Sequence, residues 1–315
     1  MSPEYVGGSL SFDYVENFGG LFADRILPEK IESLSLSFLV ESRDVQFGGT
    51  AGNIAYTMKL LGLDPIIIAC AGRDFEAYRK FLIEHGLDVS QIQVHEDELT
   101  SQYHVVTDAK GNQIGTFSIG AMKYAKDISL GELVQEESFF MLSPTNPDAM
   151  VEYVRQCKEK KIRYMYDPAF QIATLSKEEL CDGISGAEIL IGNDYEIALI
   201  EKKTGLTHAQ ILQTVSIVVT TLGDKGALIE TKDERIEIQP AKPENVSDPT
   251  GAGDAFRGGF LAGYLRGFDL QTCGQMGAVA AVYTVEKYGT VTHSYSKEEF
   301  AERYKENYKT ELTLE

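Results

Sequence analysis

The chain is short of positive charge. Its 29 Lys and Arg face 48 Asp and Glu, giving a net charge of −19 and a pI near 4.7, which argues against any partner held by neutralising a phosphate backbone. A nucleotide is still compatible with such a chain if backbone N–H groups and a metal ion handle its phosphates. Cysteine is also scarce. Cys70, Cys157, Cys181 and Cys273 lie far apart, with no zinc or redox spacing, and read as buried, reduced thiols. Long apolar runs are missing: Pro65–Gly72 and Met276–Tyr283 are too short to span a bilayer. Residues 1–10 lack the basic start and apolar core of a signal peptide, so the cytoplasm is the expected compartment.

What is present is ordinary for a globular protein. Of 315 residues, 43% are hydrophobic and 24% charged, enough for one large α/β domain with an accessory element or for two smaller domains. Strand-like runs alternate with helical ones. Strands are expected at 5–10, 65–71, 139–142, 162–166, 189–191 and 217–221. Helices are expected at 53–61, 74–85, 148–160 and 194–203, the first two closed by Gly62 and Gly86. That alternation predicts an α/β fold with a parallel sheet flanked by helices. Two insertions, about 12–47 and 99–120, break it. Leu34–Val40, Val45–Phe47, Ser101–Thr107 and Gln113–Ile119 are strand-like with no helix between them, the last two joined by the turn Asp108–Gly111. They predict a small separate β-layer.

The most informative stretch is Asp248-Pro-Thr-Gly-Ala-Gly-Asp-Ala-Phe256, leading into Arg257-Gly-Gly-Phe260 and an apolar-patterned helix. Gly251 and Gly253 allow close backbone approach. The unpaired N–H groups of the helix start, at Gly251, Ala252 and Gly253, form an anion hole suited to a transferring phosphoryl group. Asp254 sits beside it, able to accept a hydroxyl proton. The helix dipole favours an ionised, weakly basic Asp254, which a loose phosphoryl transition state tolerates. The same four residues also suit an ordinary helix start with a capping acid. The chain contains neither a complete dinucleotide fingerprint nor a Gly-Lys-Ser/Thr phosphate loop.

Asp248–Phe256 resembles the C-terminal signature of the ribokinase-like (PfkB-type) carbohydrate and nucleoside kinases. Three further elements match that family in order: Gly48-Gly-Thr-Ala-Gly-Asn53-Ile-Ala55, Asn193-Asp-Tyr-Glu196 and Thr221-Leu-Gly-Asp-Lys-Gly226. The resemblance covers nearly the whole chain and implies a central α/β domain with a small β-sheet lid. It implies Asp254 as the base, and ATP and Mg²⁺ as cofactors. Asn193, Glu196, Thr221, Gly223 and Gly226 would serve the nucleotide, with Glu196 on Mg²⁺ through water. Asp248 and Thr250 would border a monovalent cation such as K⁺. It also implies that Asp13 chelates two sugar hydroxyls, with Ser9, Ser37, Gly49 and Asn53 among the substrate contacts. Read without the family, Asn53 suits a helix N-cap, Gly48-Gly49 a turn, Asp13 an exposed turn, Asn193 and Glu196 a capping pair, and Thr221–Gly226 a hairpin connection.

The stretches 23–40 and 100–122 and Asp248-Pro-Thr-Gly are similar to bacterial adenosine kinases of the actinobacterial type. That similarity implies a nucleoside substrate, with adenosine converted to AMP. Aromatic Tyr103 and Phe117 suit a flat base, and 100–122 contains only Lys110 as a phosphosugar anchor. The same aromatics would also suit the lid's own small core. After Asp167-Pro168, Phe170 and Gln171 occupy positions of the base contacts, but Phe170 and Thr174 depart from the actinobacterial pattern. A ribokinase-type sugar kinase, an inosine–guanosine kinase and a silent nucleotide-binding regulator remain alternatives. The apolar run Phe38-Leu39-Val40 predicts a homodimer through the lids, which the resemblance also implies.

Overall fold

The computed structural model describes residues 4–135 and 137–314. Its strands are β1 Glu4–Gly7, β2 Ser11–Asn17, β3 Ser42–Gly48, β4 Ile66–Gly72, β5 Ile92–His95, β6 Ser101–Thr107 and β7 Gln113–Ser118. They continue as β8 Phe139–Leu142, β9 Arg163–Tyr166, β10 Ile189–Asn193, β11 Ile217–Thr221, β12 Ala227–Glu230 and β13 Arg235–Ile238. The helices are α1 Thr50–Leu60, α2 Glu76–Glu84, α3 Leu130–Leu133, α4 Pro147–Lys160 and α5 Lys177–Gly186. After these come α6 Asp194–Thr204, α7 His208–Thr214, α8 Ala252–Tyr264, α9 Leu270–Val285 and α10 Lys297–Tyr308.

Nine strands form one sheet in the order β13-β12-β11-β10-β9-β8-β1-β4-β5, with every strand in one direction except β12, which pairs antiparallel with β11 and β13. Both faces are covered, so its strands are apolar throughout rather than alternating. Val6, Ile67, Met141, Met165, Ile191 and Val219 point to a core shared with α1, α8 and α9. Their neighbours Tyr5, Ile68, Phe140, Tyr166, Leu190 and Val218 point to a second core with α4 to α7. The chain leaves β1 towards β4 on one side and β8 on the other. That reversal opens a crevice at the carboxyl ends of the strands, where α/β sheets bind ligands. No helix among the described residues is long and apolar enough to cross a membrane.

The two insertions form a second sheet, β3-β2-β6-β7, as the alternation break predicts. One member differs from expectation. Leu34–Val40 is not a strand; its place is taken by Ser11–Asn17, which pairs β3 on one side and β6 on the other. The apolar run instead folds back on its own segment, with Phe38 packed 4.9 Å from Phe18 and 5.0 Å from Phe22 between ring centroids.

Candidate active site

Gly251 positions Asp254. Its φ of +80° turns the extended 248–250 segment into α8, a conformation any side chain would resist. Asp254 then falls in the first helical turn beside the N–H groups of Gly251 and Gly253, whereas Ala252 N, expected to be unpaired, turns back to donate to the Pro249 carbonyl at 3.3 Å. The loop before it is tied down: Asp248 Oδ1 accepts from Thr250 N at 2.9 Å and Oδ2 from Gly289 N at 3.1 Å.

Asn53 is not a helix cap. α1 starts at Thr50, after Gly49 with φ +91°, and Ser9 Oγ accepts from Thr50 N at 3.1 Å. This leaves the Asn53 amide in the interior, where Nδ2 donates to Asp254 Oδ2 at 2.8 Å. The Thr290 hydroxyl, 2.8 Å from Asn53 Oδ1 and 2.9 Å from the Phe47 carbonyl, shares its proton between them. An amide whose oxygen accepts from a hydroxyl must turn its NH₂ towards the carboxylate. The contact depends on Gly258, where a Cβ would come within 2.7 Å of Thr57 Cβ and 2.9 Å of the Ile54 carbonyl. α1 and α8 therefore meet almost backbone to backbone.

Burial pushes the Asp254 carboxyl above its ordinary value, and the charge of Glu196 adds to the rise. The charge of Arg257 and the Asn53 hydrogen bond oppose it. The direction is opposite to that expected from the helix dipole, because desolvation outweighs the dipole. Asp254 is thus a better base than its place in the first turn implies.

Sequence reasoning passed over Arg257 and Asp167 as site residues. Arg257 Nη2 donates to Asp167 Oδ1 at 2.9 Å, and Nε lies 2.5 Å from Oδ2. Both residues are buried, one a turn beyond Asp254 and the other just past β9. Burial pushes Asp167 up to about 6 against the pull of Arg257, so the pair is ionic at neutral pH. The available signal was a cation in a helix otherwise apolar and glycine-rich.

On the lid, Gln46, Asp13, Tyr103 and Phe117 are directly opposed across β3, β2, β6 and β7 and form one row. Tyr103 therefore lies next to Asp13 and Phe117 one strand further along the same row, extending aromatic surface from one side of the carboxylate. Gly48 leaves room for Asp13, since a Cβ there would come within 2.3 Å of Oδ2. Burial pushes Asp13 up to about 6, the Ser11 hydroxyl donating to Oδ1 at 2.8 Å lowers it, and the charge of Asp254 raises it. The two acids thus feel each other across the crevice.

Behind the anion hole lies a cavity of about 610 Å³. Thr221, Gly223 and Gly226 line one part and Ala252 and Gly253 another, joined by the apolar walls Val246, Phe256, Ala278, Val282 and Val285. The apolar wall was invisible in the sequence because α9 reads only as core. Asn193 and Glu196 form a reciprocal capping box, each side-chain oxygen accepting from the other's backbone N–H at 2.8 Å. Glu196 nonetheless exerts its charge on Asp254 and Asp167.

Other expected contacts are dispersed. Ser37 is exposed in the strandless segment, Phe170 is 57% exposed, and buried Gln171 donates Nε2 to the Thr145 carbonyl at 2.7 Å.

Residues 13–297 match the pfkB family of carbohydrate kinases, and the chain belongs to that family. It is 31% identical over 301 residues, 94% of either chain, to a nucleoside kinase of Methanocaldococcus jannaschii. It is 33% identical over 261 residues, 82% of this chain and 84% of the other, to one of Methanothermobacter thermautotrophicus. The structure superposes on Burkholderia thailandensis nucleoside kinase in complex with inosine at a TM-score of 0.89. The two are 30% identical, with 98% of this chain and 99% of that one covered. The fold is ribokinase-like.

Proposed function

We propose that this chain transfers the γ-phosphoryl group of ATP to the 5′-hydroxyl of a nucleoside, with adenosine the leading substrate. The observation that carries the reading is the lid row. Asp13 can accept two vicinal hydroxyls, while Tyr103 and Phe117 beside it offer faces to a flat base. Among the described residues of that sheet face there is no Lys or Arg, which a phosphosugar would need. Relatives over nearly the whole chain carry the name nucleoside kinase, which supports the same class.

Asp254 accepts the proton of the 5′-hydroxyl as that oxygen attacks the γ-phosphorus in line. The bond from phosphorus to the ADP oxygen breaks, and that oxygen keeps the electron pair. The N–H groups of Gly251 and Gly253 face the charge that develops. The adenine of ATP fits the apolar wall of the cavity and its phosphates the Thr221–Gly226 loop.

Among the described residues no three His, Cys, Asp or Glu side chains cluster as a metal site. Mg²⁺ keeps its waters and rides on phosphates with one or two carboxylates, so it would need no such cluster. Glu196 would hold it through water, and the ion would neutralise phosphate charge. Asp248 and Thr250 would border K⁺.

The test is ADP release with adenosine, inosine, guanosine, cytidine, ribose and fructose 6-phosphate in turn. Adenosine is expected to turn over fastest. Preference for inosine is the second reading, favoured by the inosine complex of the Burkholderia thailandensis neighbour. Turnover of ribose alone, or of nothing, overturns the nucleoside assignment.

We also infer a homodimer through the lids. Leu34 and Leu39, 48% and 89% exposed, and Val45 at 54% leave apolar surface on this thin layer, which a two-fold copy would cover.

A further inference from the structure

Arg257 is a buried cation with more donors than partners. A guanidinium carries five N–H groups in a planar fork; Asp167 accepts a hydrogen bond from Nη2 alone, while Nε lies 2.5 Å from its Oδ2 as an ion-pair contact and has no hydrogen-bond partner among the described residues. Among the described residues Nη1 has no hydrogen-bond partner, although Arg257 is only 7% exposed. Its position is marked by Gly253, where a Cβ would fall 2.8 Å from Nη1. Gly253 has no positive φ, so its backbone does not demand glycine. What the missing Cβ leaves free is room for the guanidinium edge, which Asp167 prevents from swinging aside. Gly253 also lines the 610 Å³ cavity, so Nη1 lies against a residue of that cavity's lining.

Charge points the same way. Asp167, Asp254 and Glu196 all act on Arg257, so a phosphate arriving beside Asp254 without it would meet three carboxylates. An arginine can hold one edge of its fork on Asp167 and present a further donor at a fixed angle, which a lysine cannot do. We infer that Arg257 donates from Nη1 to the transferring phosphoryl group, as a side-chain member of the anion hole aimed by Asp167. This rests on the phosphotransfer reading given above, but not on which nucleoside is used.

The experiment has three arms on the full chain. In Arg257→Gln, kcat should fall about 10²- to 10³-fold, the range for one lost oxyanion donor, with KM for ATP and nucleoside little changed. In Arg257→Ala, millimolar guanidinium chloride should restore part of the lost turnover. Wild-type kcat in Arg257→Gln overturns the proposal, and so does a loss that guanidinium does not relieve in a normally folded Arg257→Ala. The third arm uses wild-type protein, in case the variants fail to fold. The guanidinium ¹⁵N resonances should shift when aluminium fluoride is added to the MgADP complex, and no shift overturns the contact. That arm needs no acceptor, so an error in the nucleoside reading would leave it standing and show only in the substrate panel.

Discussion

Asn53 Nδ2 donates to Asp254 Oδ2 at 2.8 Å across 201 residues of sequence, joining the helix that follows the lid strand β3 to the helix that carries Asp254. Asn53 Oδ1 takes a hydrogen bond from Thr290, which also reaches the lid backbone at Phe47. Asp254, the proposed base, is therefore oriented by residues that touch the lid.

Asp254→Asn keeps the helix start and an Asn53 contact but removes the proton acceptor. Turnover should drop by at least about 10²-fold, the lower range for lost acid–base catalysis, while calorimetric nucleoside binding is largely retained. Near-normal turnover would falsify the assignment of the base.

Thr290→Val leaves Asn53 Oδ1 and the Phe47 carbonyl without their donor in a buried site. The loss should cost about 1–3 kcal/mol of stability and lower kcat, because the Asn53 amide is free to flip. Thr290→Ser keeps the hydroxyl and should restore kcat. If the Val and Ser variants share one kcat, the orienting role is wrong.

Asp13 titrates near 6, above the ordinary carboxylate range, so the folded protein holds this proton more tightly than the unfolded chain. Its ionisation opposes folding above pH 6, and that cost disappears below pH 4. A rise of about two units corresponds to roughly 3 kcal/mol at most. Asp13→Asn should therefore raise the Tm at pH 8 and not at pH 4, while raising KM for the nucleoside far more than for ATP. In the wild type, KM for the nucleoside should climb as pH falls through 6, since a protonated Asp13 loses acceptor capacity. Ser11→Ala removes a hydrogen bond that lowers this pKa and should move the climb to higher pH. A KM that is flat from pH 5 to 8 removes Asp13 from the substrate.

For the dimer, Leu39→Ser is the cleaner probe, since Phe38 is engaged with Phe18 and Phe22 within its own chain. Light scattering should find a dimeric wild type and a monomeric or weakened variant. A monomeric wild type at micromolar concentration ends the proposal.

Much of the sheet and the turn into Asp254 were legible because they are local properties. Alternating apolar runs, Gly62 and Gly86 after their helices, and the Gly251 turn into Asp254 each depend on a few neighbouring residues. The lid was legible as a β-layer but not strand by strand. Leu34–Val40 has strand composition, yet β2 already pairs both β3 and β6, so no edge remains for it between them. The hidden contacts were those made through space. Arg257 meets Asp167 across 90 residues, and Thr290 meets Phe47 across 243.

By itself, then, the sequence determined an α/β fold with a β-layer, a helix start built for an anion, and the acid beside it. Only the tertiary structure decided what that acid experiences. Packing at Gly258 brings Asn53 to it, burial raises its pKa against the helix dipole, and the space at Gly253 admits Arg257. The physical reason is that desolvation and close approach depend on which distant segments share a volume, whereas turns and periodicity depend on residues adjacent in the chain.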